Sequence, residues 1–302
     1  MVDSLGYDTM NADKTLFVAV GHRGVRATSP DGENWSVAEV AKEGQVLRAA
    51  ACGNGVCLAV GTFGGSNLFA TTRDGTEWKV EQKDAQYRFF LRGLCYGDEQ
   101  FLGLGGDPGS VGASSPFVMT SRDGLDWSGL KSISGKEILR RAAWGNGRYV
   151  AVGDRGRRAT SSDGLEWKDA AGVRAIDTLV DLTFGNGLFV GVGLHGLRMT
   201  TRDGVEWSQP VRGEEGEHLN TVLWTGERFV AVGLGGTWFS ADGVEWRREA
   251  NRNAPLTAAY GNGRYVGTAW RGRLLFSNDA VDWREVHRLP HHAEAVAFGI
   301  VQ

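Results

Sequence analysis

Three arginines occupy equivalent positions in successive segments of this 302-residue sequence, and their spacing indicates a site for an anion. Arg48, Arg92 and Arg140 each stand five residues before a glycine that opens a predicted turn. If these segments are strands around a common axis, the three guanidinium groups converge and can hold a carboxylate or a phosphate through forked hydrogen bonds. In the alternative interpretation they form ion pairs with three aspartates: Asp107, Asp154 and Asp181.

Other polar and aromatic residues fall in predicted turns or at predicted strand starts. Residues at such positions often carry binding sites, because a rigid scaffold presents them. The further candidates for ligand binding are Arg23, Arg141, Arg155, Arg271, His22, His195, Trp270 and Phe63. A pair of carboxylates for glycoside cleavage can come from Asp107, Asp154, Asp181 or Glu294, but the sequence does not fix their separation.

No metal and no cofactor are expected. His291 and His292 are adjacent, but they lack cysteine or acidic neighbours at ligand spacing. The sequence contains no Gly-x-Ser-x-Gly nucleophile motif and no phosphate-binding loop. The net charge of −3 gives no field that attracts nucleic acid or an acidic membrane, and no apolar run has the length of a membrane span. We therefore expect no nucleic-acid partner and no membrane span.

The elements that must position these residues repeat along the chain. The pattern Ser/Thr-x-Asp-Gly-x-x-Trp occurs seven times, with Ala280 in place of the glycine in the last copy. Successive aspartates are 43, 49, 40, 40, 39 and 37 residues apart. A period near 40 with strand-like content is typical of a propeller or a solenoid. The aspartates are Asp31, Asp74, Asp123, Asp163, Asp203, Asp242 and Asp279.

Each repeat contains the signals of four short antiparallel strands. In the fourth repeat, Asn146-Gly147 between two apolar runs predicts a tight hairpin, because a type I′ turn needs two residues at positive φ. The Asp-Gly of the motif predicts a second hairpin, in which the aspartate accepts hydrogen bonds from its own turn. We expect the following tryptophan to pack between neighbouring sheets, with its indole N–H bonded to a backbone or aspartate acceptor. The repeated Asp and Trp residues are therefore interpreted as scaffold.

The predicted fold is all-β. A four-stranded sheet cannot bury both of its apolar faces alone, whereas seven sheets in a closed ring can. The sequence thus predicts a single seven-bladed β-propeller over residues 1–302, with four antiparallel strands per blade. The C-terminal stretch matches the first strand of a repeat, so we expect it to close the ring by joining the N-terminal blade. The predicted blades are 15–41 with 293–300, 45–83, 88–130, 137–170, 176–210, 217–249 and 254–286.

The two ends of the predicted ring differ in how much they vary between blades. The Gly-Asn-Gly and Asp-Gly turns share one end and are nearly the same in each blade, as expected of scaffold. The Gly-x-x-Gly turns and the connections between blades share the other end, which we call the variable end, and a site is expected there. Insertions at 61–67 and 105–117 also fall at this end, where either padding or a functional lid is compatible with them.

Cys52 and Cys57 flank a predicted hairpin and face each other across it. A non-hydrogen-bonded pair brings side chains close, near the spacing that a disulfide requires. Other repeats hold aromatic pairs there, such as Trp144 with Tyr149. Both a disulfide and two buried thiols are compatible with the sequence. A disulfide favours an exported protein, periplasmic or extracellular, although Met1–Ser4 does not begin a signal peptide.

The repeated motif resembles the Asp-box, or BNR repeat, of sialidases, sortilin-type receptors, xyloglucan hydrolases and photosystem II assembly factors. It departs from the usual Ser-x-Asp-x-Gly-x-x-Trp because glycine follows aspartate directly, which predicts a tighter turn. The resemblance covers nearly the whole chain and implies a β-propeller, but no particular function. Sialidases bind their substrate's carboxylate with an arginine cluster and also need a catalytic tyrosine, whereas Tyr96 and Tyr260 fall at predicted core positions here.

Two classes of function follow, and the sequence does not decide whether the protein is an enzyme. The favoured class is a monomeric, non-enzymatic binding or assembly module that presents its variable loops and central funnel to a protein, peptide or glycan. The second is a glycoside hydrolase or lyase acting on a polar or anionic substrate in the funnel. A deep pocket with two carboxylates about 5 to 10 Å apart would favour the enzyme. A wide face with exposed Trp270 and Phe63 would favour binding.

Overall fold

The computed structural model describes residues 14–38, 43–84, 90–107 and 115–302. In this part of the chain, seven antiparallel sheets follow one another, and the innermost strand of each sheet contacts that of the next. The innermost strand of the seventh sheet contacts that of the first, so the sheets close into a ring. The fold is therefore a seven-bladed β-propeller, as predicted.

The strands follow the repeats of the sequence, and we number them in chain order. Blade 1 contains β1 (Lys14–Gly21), β2 (Arg26–Ser29), β3 (Ser36–Val37) and the C-terminal strand β27 (Ala293–Val301). Blade 2 contains β4 (Val46–Gly53), β5 (Val56–Phe63), β6 (Ser66–Thr72) and β7 (Lys79–Asp84). Blade 3 contains β8 (Leu91–Gly97), β9 (Gln100–Gly105), β10 (Phe117–Ser121) and β11 (Lys131–Ser132).

The remaining blades continue in the same order. Blade 4 contains β12 (Leu139–Gly145), β13 (Arg148–Gly153), β14 (Arg158–Ser161) and β15 (Lys168–Asp169). Blade 5 contains β16 (Leu179–Gly185), β17 (Leu188–Gly193) and β18 (Arg198–Thr201). Blade 6 contains β19 (Leu219–Trp224), β20 (Phe229–Gly233), β21 (Gly236–Ser240) and β22 (Arg247–Glu249). Blade 7 contains β23 (Thr257–Gly261), β24 (Arg264–Ala269), β25 (Arg273–Ser277) and β26 (Arg284–Arg288).

Helical structure in the described residues is limited to short 3-10 turns. They are Asp154–Gly156, Ala175–Asp177 and Trp270–Gly272. Blade 5 has three strands rather than four, and an isolated bridge between Arg198 and Val211 stands in place of its outermost strand. Most of the predicted insertion in blade 3 lies outside the described residues.

The C-terminal strand closes the ring. β27 pairs with β1 from Lys14 opposite Val301 to Gly21 opposite Ala293, and it forms the innermost strand of blade 1. The rings of Phe17 and Phe298 pack with centroids 4.7 Å apart. This closure confirms the expectation from the sequence, and it removes two sheet edges that would otherwise be exposed.

The hydrophobic core lies between the blades. One cluster joins Leu16 and Val18 of β1 to Leu68 and Ala70 of β6, all of them buried. Burying a Leu or Val side chain contributes about 1.5–3 kcal/mol. Because each sheet is sealed by its neighbours, stability depends on closing the whole ring.

The turns of the repeated motif have the same hydrogen bonds to the aspartate and to the Ser or Thr in all seven copies, including the one with Ala280. In blade 4, Asp163 Oδ1 accepts from the backbone N–H of Leu165 (2.8 Å) and of Glu166 (2.9 Å), and Ser161 Oγ accepts from that of Gly164 (2.9 Å). In blade 2, hydrogen bonds from the backbone N–H groups of Thr76 and Glu77 are the main cause that lowers the pKa of Asp74 to about 2. These aspartates therefore accept the hydrogen bonds that form their turns.

The tryptophan of the motif completes the turn. In blade 4, the indole Nε1–H of Trp167 donates to the carbonyl oxygen of Gly164 at 2.9 Å. This backbone partner matches the expectation from the sequence. The same bond to the residue three positions earlier is formed by Trp35, Trp127, Trp207, Trp246 and Trp283.

Some hairpin asparagines link neighbouring blades, a role that the sequence did not indicate. The Asn146 side-chain amide donates to the carbonyl oxygens of Gly187 and Arg202 in blade 5, both at 3.0 Å. Asn54 makes the equivalent bonds from blade 2 to Glu99 and Arg122 of blade 3. Each residue therefore serves its own turn and also connects two blades.

The glycine that ends an innermost strand allows the next blade to approach. A Cβ atom on Gly145 would lie 2.3 Å from the ring of Phe184 in blade 5. Aromatic pairs such as Trp144 with Tyr149, whose centroids are 4.5 Å apart, fill this level of the ring. In blade 2 the same level holds a disulfide between Cys52 and Cys57, which settles the two alternatives left by the sequence.

Candidate functional site

In six of the seven blades that the structure describes, a β-bulge leaves one residue of the innermost strand without a partner on the second strand. In blade 2, Leu47 pairs with Gly61 and Ala49 with Val60, so Arg48 between them is unpaired. A bulge of this kind re-aims a side chain, here near the strand start at the variable end. The bulge residues of blades 1 to 6 are Glu294, Arg48, Arg92, Arg140, Val180 and Asn220.

The bulge residues of blades 1 to 5 border one cavity at the mouth of the central channel, whose volume is about 330 Å³. Four arginines face this cavity, which brings the predicted candidates of blades 2, 3 and 4 together. The charged residues that line it are Arg48, Arg92, Arg140, Arg141, Asp154 and Glu294.

The four arginines differ in their partners. Arg140 forms a two-bonded ion pair with Asp154, in which Nη2 lies 2.8 Å from Oδ2 and Nε donates to Oδ1. Arg141 Nε lies 3.7 Å from Asp181 Oδ1. Neither Arg48 nor Arg92 takes part in an ion pair with the described residues, and the Nε atom of each is buried without a hydrogen-bond partner. Two positive charges at the mouth therefore have no ion-pair partner in the described part of the chain.

The electrostatic environment of Arg92 reflects this crowding. Burial lowers its pKa from the ordinary value, and the neighbouring charges of Arg48 and Arg140 lower it further. The charges of Asp107 and Asp154 act in the opposite direction and raise it. A guanidinium stays protonated in proteins, so Arg92 keeps its positive charge in this environment.

The rim of the mouth on blades 1 and 7, beside blade 2, combines imidazole, carboxylate and indole groups. His22 Nε2 lies 2.6 Å from Glu294 Oε1. The ring of His292 packs edge-on against His22, with centroids 5.5 Å apart, and stacks on Trp270 at 5.0 Å. This arrangement continues from blade 1 into blade 7, so the rim is polar at Glu294 and aromatic at Trp270.

Asp181 follows the bulge residue Val180 on β16 and does not line the cavity at the mouth. Its carboxylate accepts hydrogen bonds from Thr221 Oγ1 (2.8 Å) and from the backbone N–H of Val222 (2.9 Å) in blade 6. Burial raises the pKa of Asp181, while Arg141 and these two donors oppose the rise. Asp181 thus joins blades 5 and 6 within the channel, and it does not neutralise Arg48 or Arg92.

The remaining predicted residues lie at the variable end but outside the cavity. Arg23 Nη2 is 3.3 Å from Glu43, and Arg155 Nε is 3.6 Å from Glu137. The backbone N–H of His195 donates to His218 Nδ1 at 3.1 Å. Arg271 is exposed in its turn with φ 63°, and Phe63 is half-buried at the end of β5.

Uncharged residues that line the same cavity were not singled out from the sequence. They are Gly153, Thr178, Leu179 and Val180. A signal for Val180 was available, because Leu47, Leu91, Leu139, Leu179 and Leu219 each precede a bulge residue. That repeated leucine aligns Val180 with the arginines of blades 2, 3 and 4.

The described residues contain no cluster of three or more His, Cys, Asp or Glu side chains able to hold a metal ion. In the same part of the chain, no helix is long and apolar enough to cross a bilayer. The mouth itself is a concave, arginine-lined surface on a seven-bladed β-propeller.

Several solved structures share this fold. A structure described as YCF48 bound to D1 peptide is 14% identical, with a TM-score of 0.60, and the match covers 84% of this chain and 85% of that one. YCF48 from Cyanidioschyzon merolae is 15% identical, with a TM-score of 0.56 and coverage of 83% and 87%. The computationally designed Ika8 protein is 13% identical, with a TM-score of 0.52 and coverage of 95% and 91%.

At these identities the likeness establishes the fold alone. No protein-family model matches the sequence, and no curated relative matches it. The Asp-box therefore remains a resemblance of the turn motif.

Proposed function

We propose that this chain is a non-catalytic binding propeller whose variable end takes a protein or peptide ligand, with Arg48 and Arg92 as anchors for an acidic group. The observation that carries the proposal is the pair of guanidinium groups that line the cavity without an ion pair among the described residues. An unbonded, buried donor on a charged group is costly. An incoming carboxylate would supply both the missing charge and the missing hydrogen bonds.

A peptide suits this site better than a glycan. Asp and Glu side chains provide carboxylates on a chain that can also contact the rim, and the YCF48 structure bound to D1 peptide is an example of a peptide complex on a similar fold. A glycan ligand would need acidic sugars to meet the same two guanidinium groups. Acidic glycans are therefore included in the test below.

The hydrolase alternative receives less support from the carboxylates of the cavity. Both oxygens of Asp154 are bonded by Arg140, and Glu294 is bonded to His22. A general acid or nucleophile needs an oxygen that is free to meet the substrate. Asp154 has no such oxygen, and Glu294 shares Oε1 with His22, which leaves Oε2 as the one oxygen of this pair without a partner among the described residues.

The test measures binding of labelled 15-residue peptides that contain four Asp or Glu residues, with matched peptides that carry Asn or Gln instead. Arg48→Ala and Arg92→Ala are each expected to weaken binding of the acidic peptides about tenfold or more, because a hydrogen bond to a charged group contributes about 1.5–3 kcal/mol. Arg92→Lys keeps the charge and removes the forked geometry, so we expect an intermediate loss.

Arg155→Ala is the matched control, since Arg155 lies on the same end but is exposed and paired with Glu137. Its effect should stay within about twofold, as is usual for an exposed ion pair. Equal binding of the acidic and amide peptides would refute the proposal, as would equal effects of the Arg92 and Arg155 substitutions. Preferential, Arg92-dependent capture of acidic glycans over all peptides would also refute it.

A further inference from the structure

At the variable end, blades 1 and 4 differ from blades 5, 6 and 7 in the first residue of the turn between the second and third strands. In blades 1 and 4 this residue is polar and bonds the bulge residue of its own blade: His22 bonds Glu294, and Asp154 bonds Arg140. The turn residue thus compensates a charged group at the mouth in these two blades.

In blades 5, 6 and 7 the same turn position carries an apolar side chain. Leu194, Leu234 and Trp270 have exposed fractions of 44%, 80% and 68%. Leu234 and Trp270 are the most exposed large apolar side chains in the part of the chain that the structure describes. We call these three residues the apolar arc. The innermost strands of the same blades place uncharged residues at the bulge position or its equivalent: Val180, Asn220 and Leu256.

The turns hold the apolar arc in a defined backbone conformation. The residue that follows each member is in the left-handed region, with φ 57° at His195, 82° at Gly235 and 63° at Arg271. Trp270 is also stacked on His292 with an interplanar angle of 13°. A preorganised side chain loses little freedom on binding, so contact with it contributes more to affinity.

We infer that the apolar arc binds apolar side chains of the same peptide segment whose acidic group is held by Arg48 and Arg92. This inference rests on the proposed function and specifies its ligand: one extended segment, acidic at one end and rich in Leu, Val or Phe at the other. Charge complementarity supports this occupant, because an acidic group on the segment meets the guanidinium groups of Arg48 and Arg92 on blades 2 and 3. The arc lies on blades 5 to 7 at the same end of the ring, outside the cavity. A purely acidic ligand would leave the arc in water.

A bilayer surface is the competing occupant, and the geometry favours the peptide. The uncompensated guanidinium groups line a recessed cavity that a side chain can enter and a flat layer of headgroups cannot. The arc also occupies three of the seven turns, while His22 and Asp154 hold the same turn position in blades 1 and 4. The variable end therefore does not present a continuous apolar plane.

The test uses two synthetic peptides that share an acidic half. One continues with Leu, Val and Phe residues and the other with Ser and Gly. We expect the full-length protein to bind the amphiphilic peptide at least about tenfold more tightly, as the burial of apolar side chains requires. The triple variant Leu194→Ser, Leu234→Ser, Trp270→Ser should bind both peptides with the affinity of the Ser/Gly peptide.

The matched control is the double variant Val205→Ser, Val244→Ser, because both valines are exposed in Asp-Gly turns at the opposite end. It should behave as the unmodified protein. If both peptides bind equally and both are lost in Arg92→Ala, the arc inference is overturned and the proposed function stands. If Arg92→Ala changes neither affinity, the proposed function fails.

Two further outcomes would assign the arc to another occupant and overturn the inference. One is equal binding of the two peptides together with binding to phosphatidylcholine vesicles that the triple variant loses. The other is a dimer in sedimentation velocity that the triple variant dissociates.

Discussion

The link that Asn146 makes between blades 4 and 5 leads to a sharp prediction about stability. Its side-chain amide donates two hydrogen bonds to the next blade, while its backbone holds φ 49° in the hairpin. Asn186 holds the equivalent turn position in blade 5 with φ 47°, and it donates no side-chain hydrogen bond to another described residue. Comparing substitutions at Asn146 and Asn186 therefore distinguishes the role of asparagine in forming the turn from its role in linking two blades.

Aspartate is the appropriate substitution because it tolerates the left-handed conformation, whereas alanine would add a backbone penalty. Asn146→Asp removes two neutral hydrogen bonds, each contributing about 0.5–1.5 kcal/mol, and places a carboxylate opposite two carbonyl oxygens. We therefore expect a loss of about 2 kcal/mol in the free energy of unfolding. An unfolding entropy of about 2.1 cal/mol/K per residue gives about 0.6 kcal/mol/K for this chain, so Tm should fall by about 3 °C.

The assay is scanning calorimetry at pH 7 of the unmodified protein, Asn146→Asp and Asn186→Asp at one scan rate. Asn186→Asp should lower Tm by less than about 1 °C, as is usual for a surface substitution. If the two variants lose the same amount, the inter-blade bonds contribute nothing measurable, and asparagine acts at both sites only as a turn former.

Three further predictions concern the scaffold. Truncation after His292 removes β27 and should abolish cooperative unfolding, because it opens the ring; an unchanged melting curve would contradict the closure argument. Gly145→Ala places a methyl group 2.3 Å from the Phe184 ring and should lower Tm. Gly129→Ala is the control and should leave Tm unchanged, because no atom lies within 4 Å of the added methyl group. Equal changes in Tm would contradict the steric explanation. Because hydrogen bonds in the turns lower the pKa of the motif aspartates, such as Asp74, folded carboxylates bind protons less readily than unfolded ones. The contribution of these turns to the free energy of unfolding is thus fully present above the unfolded pKa of about 4, and it is lost as pH falls toward 2. Midpoints of urea unfolding that stay constant between pH 5 and 3 would contradict this prediction.

The sequence by itself determined the number of blades, the strand order within a blade and the closure by the C-terminal strand. These features depend on short-range chemistry that each repeat restates. Asp163, for example, bonds amides two and three residues away, and Trp167 bonds a carbonyl three residues away. Interactions over such distances are set by local spacing, so a motif in the sequence is sufficient to predict them.

The sequence also indicated that Arg48, Arg92 and Arg140 share one position around the axis. It left open whether they pair with Asp107, Asp154 and Asp181. Only the tertiary structure decided that Arg140 forms an ion pair with Asp154, whereas Arg48 and Arg92 form none with the residues that the structure describes. The physical reason is that an ion pair needs atoms within a few ångströms. For Arg140 and Asp154, that distance depends on the bulge in β12 and on the turn after β13. His22 and Glu294 come from opposite ends of the chain, so only the closure of the ring brings them together.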